Sequence, residues 1–274
     1  MARPVFVVGC PRSGTTLLRQ LLNAHPNLSC GPETHFLSSM EEIEKSRWRE
    51  LALFGVSQSE WRSHVRDLFS WVHMQFAEEH GKTRWIDKTP AYALILDFID
   101  QLYPDCQVVH VVRNPRDVID SYRRRWGIRR EWAGTQAWPK YVRAAREFGK
   151  SHPEDRYIEV CYEDLVTDPR KAMQRLIAWM GEPWDEGIMD PQPRTRGQTR
   201  EQRIRHWSED SAEGPTLGHA RMSHEERDPE REFKKAPYGS SIGIGSRGKG
   251  RLVNTPFYLW LDLKAKDLVQ EMGY

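Results

Sequence analysis

A short apolar run, a glycine-bounded loop and a helical pattern, in that order, constrain the fold of this chain more than any other feature. Residues Val5 to Val8 are β-branched or aromatic, and Gly9-Cys-Pro-Arg-Ser-Gly-Thr-Thr16 follows them directly. Leucines then recur with helical spacing from Leu17 to Leu22, so the order is strand, loop, helix. In such a loop the backbone N–H groups turn inward, and the helix N terminus adds partial positive charge. The pattern predicts an anion-binding loop of the P-loop type.

The loop lacks the residue that most clearly marks nucleotide-hydrolysing P-loops. Those loops carry a lysine directly after the second glycine, whereas Thr15 stands here and Arg12 lies inside the loop. Lysine and magnesium neutralise the negative charge of the ATP phosphates. A phosphosulfate carries less negative charge, so it can be bound without them. The apolar run Gln107 to Val112 also ends in Arg113, not in an aspartate that would hold magnesium. The sequence therefore favours a phosphosulfate bound without metal; a turn that binds no ligand is the alternative.

Further apolar runs alternate with helical patterns along the chain. The strand candidates are Trp85-Ile86, Gln107 to Val112 and Tyr157 to Tyr162. The helical pattern after each begins at a capping residue and a proline, at Thr89-Pro90, Asn114-Pro115 and Asp168-Pro169. Such alternation predicts an α/β fold, a P-loop-like parallel β-sheet flanked by helices. Ligands of these sheets bind at the carboxyl ends of the strands, so we expect the loop, Lys88 and Arg113 along one edge.

The composition indicates a globular protein without a strong bulk charge. The 274 residues are 38% hydrophobic and 29% charged, and 41 Lys and Arg nearly cancel 39 Asp and Glu. A net charge of +2 does not favour nucleic acid as a partner. The four cysteines are widely spaced, so we expect reduced thiols without a zinc site or a disulfide framework. No leader pattern precedes Val5, and no apolar stretch approaches the length of about 20 residues that a membrane span needs. We therefore expect a cytoplasmic location.

The chain length is compatible with a single domain over residues 1–274. Residues from about 190 to 251 are poor in aliphatic side chains and rich in Arg, Glu, Gly and Pro, which indicates a polar loop region within that domain. Two interpretations stay open for this region: a surface loop that is mobile in part, and a loop that orders over a bound ligand. Residues Lys264 to Gly273 predict a short helix with a packing role.

Several segments together resemble the family of sulfotransferases that use 3′-phosphoadenosine 5′-phosphosulfate (PAPS). Pro11-Arg-Ser-Gly-Thr-Thr-Leu-Leu18 resembles the loop that binds the 5′-phosphosulfate, and His110-Val-Val-Arg-Asn-Pro-Arg-Asp-Val-Ile-Asp-Ser-Tyr122 resembles the segment that binds the 3′-phosphate. Tyr162-Glu-Asp-Leu-Val166 and Ser240-Ser-Ile-Gly243 are similar to recurrent segments of the family. The resemblance is to the bacterial type, strong up to residue 166 and weaker beyond residue 181.

The resemblance implies two anion sites for the nucleotide. The residues that would hold the 5′-phosphosulfate are Arg12, Ser13, Gly14, Thr15 and Thr16. Arg113 and Ser121 would take the 3′-phosphate, since arginine offers a planar fork to phosphate oxygens and Ser121 adds a hydroxyl from the helix that begins nearby.

Later segments would complete the nucleotide site. Tyr162 and Ser241 belong to the recurrent family segments and are candidate contacts. The family often has an aromatic and basic cluster after the Ser-Ser-Ile-Gly element, whereas this chain continues with a glycine-rich stretch that contains Arg247 and Lys249. Both interpretations of that stretch stay open: a loop that covers a phosphate, and a solvated flexible loop.

Sulfuryl transfer needs a base for the acceptor proton, and two candidates stand close together. Cys30-Gly-Pro-Glu-Thr-His35 resembles the Gly-Glu-Glu-Thr stretch of tyrosylprotein sulfotransferases, in which the second glutamate is the base, and Glu33 matches that glutamate. Pro32 replaces the preceding glutamate, so the match is partial. His35 is the competing base, because the cytosolic branch of the family uses histidine and imidazole titrates near neutrality.

The reaction also needs cations that stabilise the negative charge on the leaving phosphate. Lys88 matches the family lysine near the bridging oxygen, and Arg12 is a candidate to assist it. A surface lysine paired with Asp87 is the alternative interpretation of Lys88. His25, which precedes Pro26, is expected to end the first helix and to have no chemical role.

The resemblance thus implies a sulfotransferase that moves a sulfuryl group from PAPS to an acceptor hydroxyl and releases 3′-phosphoadenosine 5′-phosphate (PAP), without metal. The acceptor stays open among a sugar, a lipid, a phenol and a tyrosine, because no motif identifies its pocket. Two alternatives also stay open. One is an atypical P-loop kinase or nucleotide-binding protein, and the other is a non-catalytic PAPS-binding protein; intact Glu33, Lys88 and Arg12 argue against the latter.

Overall fold

The computed structural model describes residues 3–127, 130–190, 260–261 and 263–274, and these contain a five-stranded parallel sheet with helices on both faces. The strands are β1 (Val5–Gly9), β2 (Leu28–Cys30), β3 (Arg84–Asp87), β4 (Gln107–Val112) and β5 (Tyr157–Cys161). Their order across the sheet is β2-β3-β1-β4-β5, and each neighbouring pair is parallel. The predicted α/β architecture is confirmed.

The helices pack on this sheet and are mostly short. They are α1 (Thr15–Ala24), α2 (Phe36–Ala52), α3 (Gln58–Glu79), α4 (Leu96–Leu102), α5 (Pro115–Trp126), α6 (Glu131–Ser151), α7 (Tyr162–Thr167), α8 (Pro169–Met180) and α9 (Lys266–Glu271), with 3₁₀ turns at Pro90–Leu94 and Glu186–Met189. The Asn114 and Asp168 side chains cap α5 and α8, and Gly181 ends α8 with a φ of 77°. The Asn114 and Asp168 caps confirm two of the signals read from the sequence.

The strand order puts β1 at the centre of the sheet, between β3 and β4. β1 pairs with β4 along its whole length, from Val5 opposite Gln107 to Gly9 opposite Val111. After β1 the chain continues to β2 and β3 on one side of it, and later forms β4 and β5 on the other side. In open parallel sheets a crevice for ligands forms where the connections diverge in this way. The loop after β1 and Arg113 after β4 therefore stand at the two sides of one crevice.

The central strand is buried on both faces, which explains its continuous apolar sequence. Val5 and Val7 pack in one core with residues of α1 and α8. Phe6 and Val8 pack in the opposite core with residues of α3, α4 and α6. A third core joins α5, α6 and α9. The strand ends that carry the candidate site residues therefore rest on packed layers on both faces of the sheet.

The segment after β3 departs from the predicted helix. Residues 90–94 form a 3₁₀ turn, and the helical conformation is interrupted at Ile95 before α4 begins. The Thr89 side chain does not cap that turn. Its hydroxyl instead accepts a hydrogen bond from the Thr34 backbone N–H at 3.2 Å, so a tertiary contact replaces the expected local one.

The elements β2, α6 and α7 have no counterpart in the sequence prediction. β2 is only three residues long, and α6 contains Gly134 and Pro139, residue types that weaken helices. A Cβ atom on Gly134 would lie 2.9 Å from the Tyr122 ring of α5, so close packing of the two helices accounts for this glycine. β5 also ends one residue before the predicted end, and Tyr162 begins α7.

Smaller predictions about single residues are confirmed. All four cysteines are free thiols, three of them buried and Cys161 partly exposed. His25 is fully buried and follows the last residue of α1. Its Nδ1 accepts from the Asn27 N–H at 3.1 Å, and its Nε2 therefore donates to the Pro183 carbonyl at 2.9 Å. Both ring nitrogens are used, as expected of a structural histidine.

The described residues all belong to one compact unit. Residues 191–259 lie outside the described residues, so the single-domain prediction and nearly all of the polar region 190–251 stay predictions. The helix predicted for Lys264 to Gly273 is present as α9. In the described ranges, no helix combines the length and the apolar character needed to cross a membrane.

Candidate active site

The loop between β1 and α1 has the backbone of an anion-binding turn. Arg12 and Gly14 both have positive φ angles, 77° and 98°, and the Ser13 N–H donates to the Cys10 carbonyl at 3.1 Å. No described side chain caps the N terminus of α1, in contrast to Asn114 at α5. The first N–H groups of α1 have no acceptor within the helix, and this is the arrangement that binds phosphate and sulfate groups.

Two glycines allow the loop to lie against its neighbours. A Cβ atom on Gly9 would be 2.5 Å from the Val111 carbonyl oxygen of β4, and one on Gly14 would be 2.2 Å from the Tyr162 ring. Both glycines have positive φ angles, which side-chain-bearing residues rarely adopt. The loop is therefore held between β4 and Tyr162, a residue that the sequence places in the nucleotide site.

Two buried donors beside the loop have no hydrogen-bond partner among the described residues: the Ser13 hydroxyl and Nε of Arg113. Ser13 is 1% exposed, and the Arg113 side chain is 15% exposed. An unsatisfied buried polar group costs about 1–3 kcal/mol, and native proteins leave few of them. An anion bound in the crevice would accept a hydrogen bond from each of these donors.

Arg12, Arg113 and Ser121 form a group that we call the arginine cluster. Arg12 Nε donates to Ser121 Oγ at 3.0 Å, and Arg113 Nη1 donates to the Arg12 carbonyl at 3.3 Å. The Arg113 guanidinium lies 4.2 Å from the centroid of the Tyr162 ring, and its backbone carbonyl accepts from Trp138 Nε1 at 2.9 Å. The sequence assigns Arg12 and Ser121 to different anions, whereas the structure joins their side chains directly. Arg12 therefore connects the loop to the arginine cluster.

A carboxylate that no sequence motif had singled out holds the backbone next to Arg113. Glu163 Oε1 accepts from the Asn114 N–H at 2.9 Å, and Glu163 Oε2 accepts from the Tyr274 hydroxyl at 2.8 Å. These partners are 49 and 111 residues away in the chain. Glu163 stands beside Tyr162 in the recurrent segment, and this position was its only signal in the sequence.

Glu33, His35 and Lys88 form a second group, the lysine cluster, at the end of β3. Lys88 Nζ donates to Glu33 Oε1, and His35 Nε2 lies 3.5 Å from Glu33 Oε2. The Lys88 side chain is 3% exposed, the Glu33 side chain 30% and the His35 side chain 59%. Lys88 is therefore a buried cation paired with a half-buried carboxylate, and the alternative of a surface lysine paired with Asp87 is wrong. Asp87 instead accepts from the Thr34 hydroxyl at 3.2 Å.

The two clusters differ in what they can do chemically. The arginine cluster offers guanidinium groups and a hydroxyl, which suits an anion such as phosphate. The lysine cluster places a cation beside two groups that can accept a proton, which suits a reaction in which a proton leaves one oxygen and charge develops on another. The arginine cluster follows β1 and β4, and the lysine cluster follows β2 and β3. Because these strands are parallel, both clusters lie at the carboxyl edge of the sheet.

The cysteines near these clusters are poor nucleophiles. Burial raises the pKa of the Cys10 thiol well above its usual range, and it raises the pKa of Cys30 to about 12. Both thiols are neutral at pH 7, and the thiolate is the reactive form. The groups of the two clusters, and not the thiols, are therefore the candidates for proton transfer.

Three of the predicted contacts cannot be placed. Ser241, Arg247 and Lys249 lie outside the described residues, so their part in nucleotide binding stays a prediction. Over the ranges that the structure describes, no group of three or more His, Cys, Asp or Glu side chains is arranged to hold a metal ion.

Comparison with known proteins places the chain in a family. A model of the sulfotransferase family matches residues 4–186, a range that begins just before β1 and contains both clusters. The nodulation protein NoeE of Sinorhizobium fredii is 28% identical over 208 residues, which cover 64% of this chain and 49% of that protein. The protein-tyrosine sulfotransferase of Drosophila melanogaster is 24% identical, with 68% of this chain and 39% of that protein covered. The chain thus spans about half the length, or less, of these curated relatives.

Solved structures agree with this comparison. The sulfotransferase domain of the olefin synthase from Synechococcus PCC 7002 is 29% identical and superposes with a TM-score of 0.56, over 71% of this chain and 78% of that domain. The sulfotransferase domain from the curacin biosynthetic pathway has the same fold at 22% identity, with a TM-score of 0.55 over 74% and 82% of the two chains. The family match, the fold and the loop together show that the chain belongs to the sulfotransferase family.

Proposed function

We propose that this chain is a PAPS-dependent sulfotransferase, which transfers a sulfuryl group from PAPS to an acceptor hydroxyl and releases PAP. The observation that carries the proposal is the pair of buried, unpartnered donors on Ser13 and Arg113, which stand at the two sides of the β1–β4 crevice. PAPS carries two anionic groups, the 5′-phosphosulfate and the 3′-phosphate. Two sets of donors at one crevice, connected through Arg12, fit such a ligand better than they fit a nucleotide with a single phosphate chain.

In this proposal the loop holds the 5′-phosphosulfate. The uncapped N terminus of α1 supplies backbone N–H groups, and the Ser13 hydroxyl supplies a further donor. Thr15 and Thr16 occupy the first turn of α1, where their N–H groups have no acceptor within the helix. Arg12 adds positive charge from within the loop.

The arginine cluster is the proposed site of the 3′-phosphate. Arg113 offers its unpartnered Nε as a donor. Arg12 links Arg113 to Ser121, because it accepts a hydrogen bond from Arg113 and donates one to the Ser121 hydroxyl. The contact of the Arg113 guanidinium with the face of the Tyr162 ring, 4.2 Å from its centroid, restricts the position of that side chain before the ligand binds. With the 3′-phosphate bound at this site, we expect PAP to bind more tightly than ADP, which lacks that group.

The lysine cluster is the proposed catalytic group. The acceptor oxygen forms a bond to sulfur while the bond between sulfur and the bridging oxygen breaks, and Glu33 takes the acceptor proton. Lys88 stabilises the negative charge that the leaving phosphate gains. The contact between Glu33 and Lys88 supports these roles, because it places the proton acceptor beside the cation. His35 remains the competing base, since it lies 3.5 Å from the Glu33 carboxylate.

The acceptor is proposed only as a hydroxyl. One relative is by name a protein-tyrosine sulfotransferase, which makes tyrosine one candidate besides a sugar, a lipid and another phenol. The balanced charge of the chain gives no reason to expect nucleic acid as a partner.

The proposal is tested by a search for the product. A metabolite and peptide extract is incubated with the protein and PAPS, and mass spectrometry detects species that gain the mass of one sulfuryl group. We expect at least one such species, which disappears when PAPS is omitted or when Lys88→Met replaces the wild type. The proposal would be overturned if no species gained the mass of a sulfuryl group and the protein showed no detectable PAP binding.

A further inference from the structure

Thr34 lies between the two candidate bases, and its hydrogen bonds point away from them. Glu33 and His35 contact each other, and Glu33 contacts Lys88. The Thr34 side chain instead bonds to Asp87 and Tyr92, while its backbone N–H donates to the Thr89 hydroxyl at 3.2 Å. One residue therefore attaches the Glu33 loop to the buried segment that follows β3.

The hydrogen bonds at Thr34 form a chain with only one consistent direction. Thr34 Oγ1 donates to Asp87 Oδ2 at 3.2 Å, so its proton is used there. The 2.8 Å contact with the Tyr92 hydroxyl then needs the tyrosine as donor. Tyr92 in turn accepts from the Leu37 N–H at 2.9 Å, in the first turn of α2. The chain runs from the start of α2 through Tyr92 and Thr34 to a buried carboxylate.

The members of this chain are shielded from water. Tyr92 and Thr89 are 0% exposed and Asp87 is 1% exposed. Burial, and then the charge of Asp87, raise the pKa of Tyr92 well above its usual range, so the tyrosine keeps the proton that it donates. His73 Nε2, from α3, lies 3.4 Å from Asp87 Oδ2 but makes no hydrogen bond to a described residue. Hydrogen bonds in such surroundings are strong, and losing one partner is costly.

The residue after Thr34 has an unfavourable backbone conformation. His35 has a φ of 52°, in the left-handed region that residues other than glycine seldom adopt. Such strain costs about 1–3 kcal/mol and persists only where the surroundings enforce it. The bonds of Thr34 and of the Leu37 N–H flank His35 on both sides, so they are the contacts that can enforce it.

We propose that Thr34 is a positioning residue, whose hydroxyl, held by Tyr92 and Asp87, fixes the loop so that Glu33 reaches Lys88 and the acceptor. This inference rests on the proposed role of Glu33 as the base. Thr34 touches no substrate in this account. Its effect on the reaction passes entirely through the position of Glu33.

The test compares Thr34→Val, which keeps the shape and loses the hydroxyl, with Thr34→Ser, which keeps the hydroxyl. The probe reaction is transfer of labelled sulfate from PAPS to a tyrosine-containing peptide, with sulfate released to water counted in the same assay. We expect Thr34→Val to lower kcat by about 10- to 100-fold, because a base displaced by an ångström loses that much. The KM for PAPS should stay unchanged, and Thr34→Ser should restore most of kcat. If Thr34→Val does not fold, Tyr92→Phe removes the donor at the other end of the chain and should give the same pattern.

A double variant shows whether Thr34 acts through Glu33. In a Glu33→Gln background the base is already absent, so adding Thr34→Val should lower kcat no further. The inference would be overturned if the losses of kcat from Thr34→Val and Glu33→Gln multiplied in the double variant. It would also be overturned if Thr34→Val and Thr34→Ser lost equal activity, or if Thr34→Val kept the wild-type kcat. If Glu33→Gln itself keeps full activity, the proposed base is wrong and the inference falls with it. If wild type moves no label even to water, the proposed function fails first.

Discussion

Buried cations stand at both ends of the sheet, but they have different partners. At the amino end, the Arg84 guanidinium is 6% exposed and donates to the backbone carbonyls of Arg3 and Met180, at 2.9 and 2.7 Å. It also bonds to the side chains of Glu182 and Gln107, at 3.0 and 2.6 Å. Every nitrogen of the Arg84 guanidinium therefore has an acceptor that the protein itself supplies.

Lys82, close to the same end, also has acceptors that the protein itself supplies. Its Nζ donates to the carbonyls of Asn23, His25 and Leu28, so it satisfies groups at and just after the end of α1. A cation at a helix C terminus also interacts favourably with the helix dipole. The amino end of the sheet thus uses its cations to join elements together.

At the carboxyl end the cations are not saturated. Arg113 keeps an unpartnered Nε within the described structure, and Lys88 is paired with the half-buried Glu33. β3 shows the contrast within one strand, since Arg84 begins it and Lys88 follows its last residue. Burial alone does not distinguish a structural cation from a functional one. We propose that the distinguishing feature is whether the protein itself supplies an acceptor for every nitrogen of the cation.

The largest expected effect is at the carboxyl end, on catalysis. Glu33→Gln keeps the shape of the side chain and removes the proton acceptor, so kcat should fall by roughly 10²–10⁴-fold. PAP affinity, measured by calorimetry, should not weaken. His35→Asn should cost far less, and the reverse order of the two losses would assign the base to His35.

The matched control is a carboxylate at the opposite end. Glu182→Gln disturbs the partner of Arg84, so it should lower the free energy of unfolding and leave kcat unchanged. A loss of kcat in this variant comparable with that of Glu33→Gln would remove the distinction between the two ends.

The next effect is on stability. Arg84→Met removes the donor that serves Glu182 Oε1, the Gln107 side chain and two backbone carbonyls, and we expect it to lower the free energy of unfolding by about 3–5 kcal/mol. Arg113→Met should lower it by no more than about 1.5 kcal/mol, the value of one ordinary hydrogen bond, because Arg113 is not saturated. Denaturant unfolding of both variants measures the difference, and equal losses would contradict it.

The smallest expected effect is none at all. The end of β4 carries Arg113 where a magnesium-dependent enzyme would have a carboxylate, so sulfuryl transfer should proceed at the same rate in EDTA. The assay is repeated with added magnesium as a control. Activity that EDTA abolishes and magnesium restores would favour the kinase alternative.

The sequence predicted those parts of the molecule that depend on neighbouring residues. β4 is a continuous apolar run, and α5 begins with Asn114 and Pro115, so local chemistry determines both. The strand, loop and helix order around Gly9 to Thr16 was predicted for the same reason. β2 was not, because three residues carry too little signal, and α6 was obscured by its glycine and proline.

The parts of the site that were missed depend on contacts between distant segments. Thr34 meets Tyr92 across 58 residues, and Glu163 meets Asn114 across 49. Only the folded sheet brings these pairs together, since each pair joins the ends of different strands. The alternative pairing of Lys88 with Asp87 was wrong for a related reason, because its actual partner, Glu33, lies 55 residues away in the chain.

Binding of PAP is the measurement that tests the central claim most directly. Calorimetry on the wild type should show PAP binding much more tightly than ADP, because only PAP places a 3′-phosphate at Arg113 and Ser121. Each charged hydrogen bond contributes about 1.5–3 kcal/mol, so Arg113→Ala should weaken PAP binding by about one to two decades and leave ADP binding almost unchanged. Equal affinity of wild type and Arg113→Ala for PAP would contradict the assignment of the carboxyl-end cations to the nucleotide.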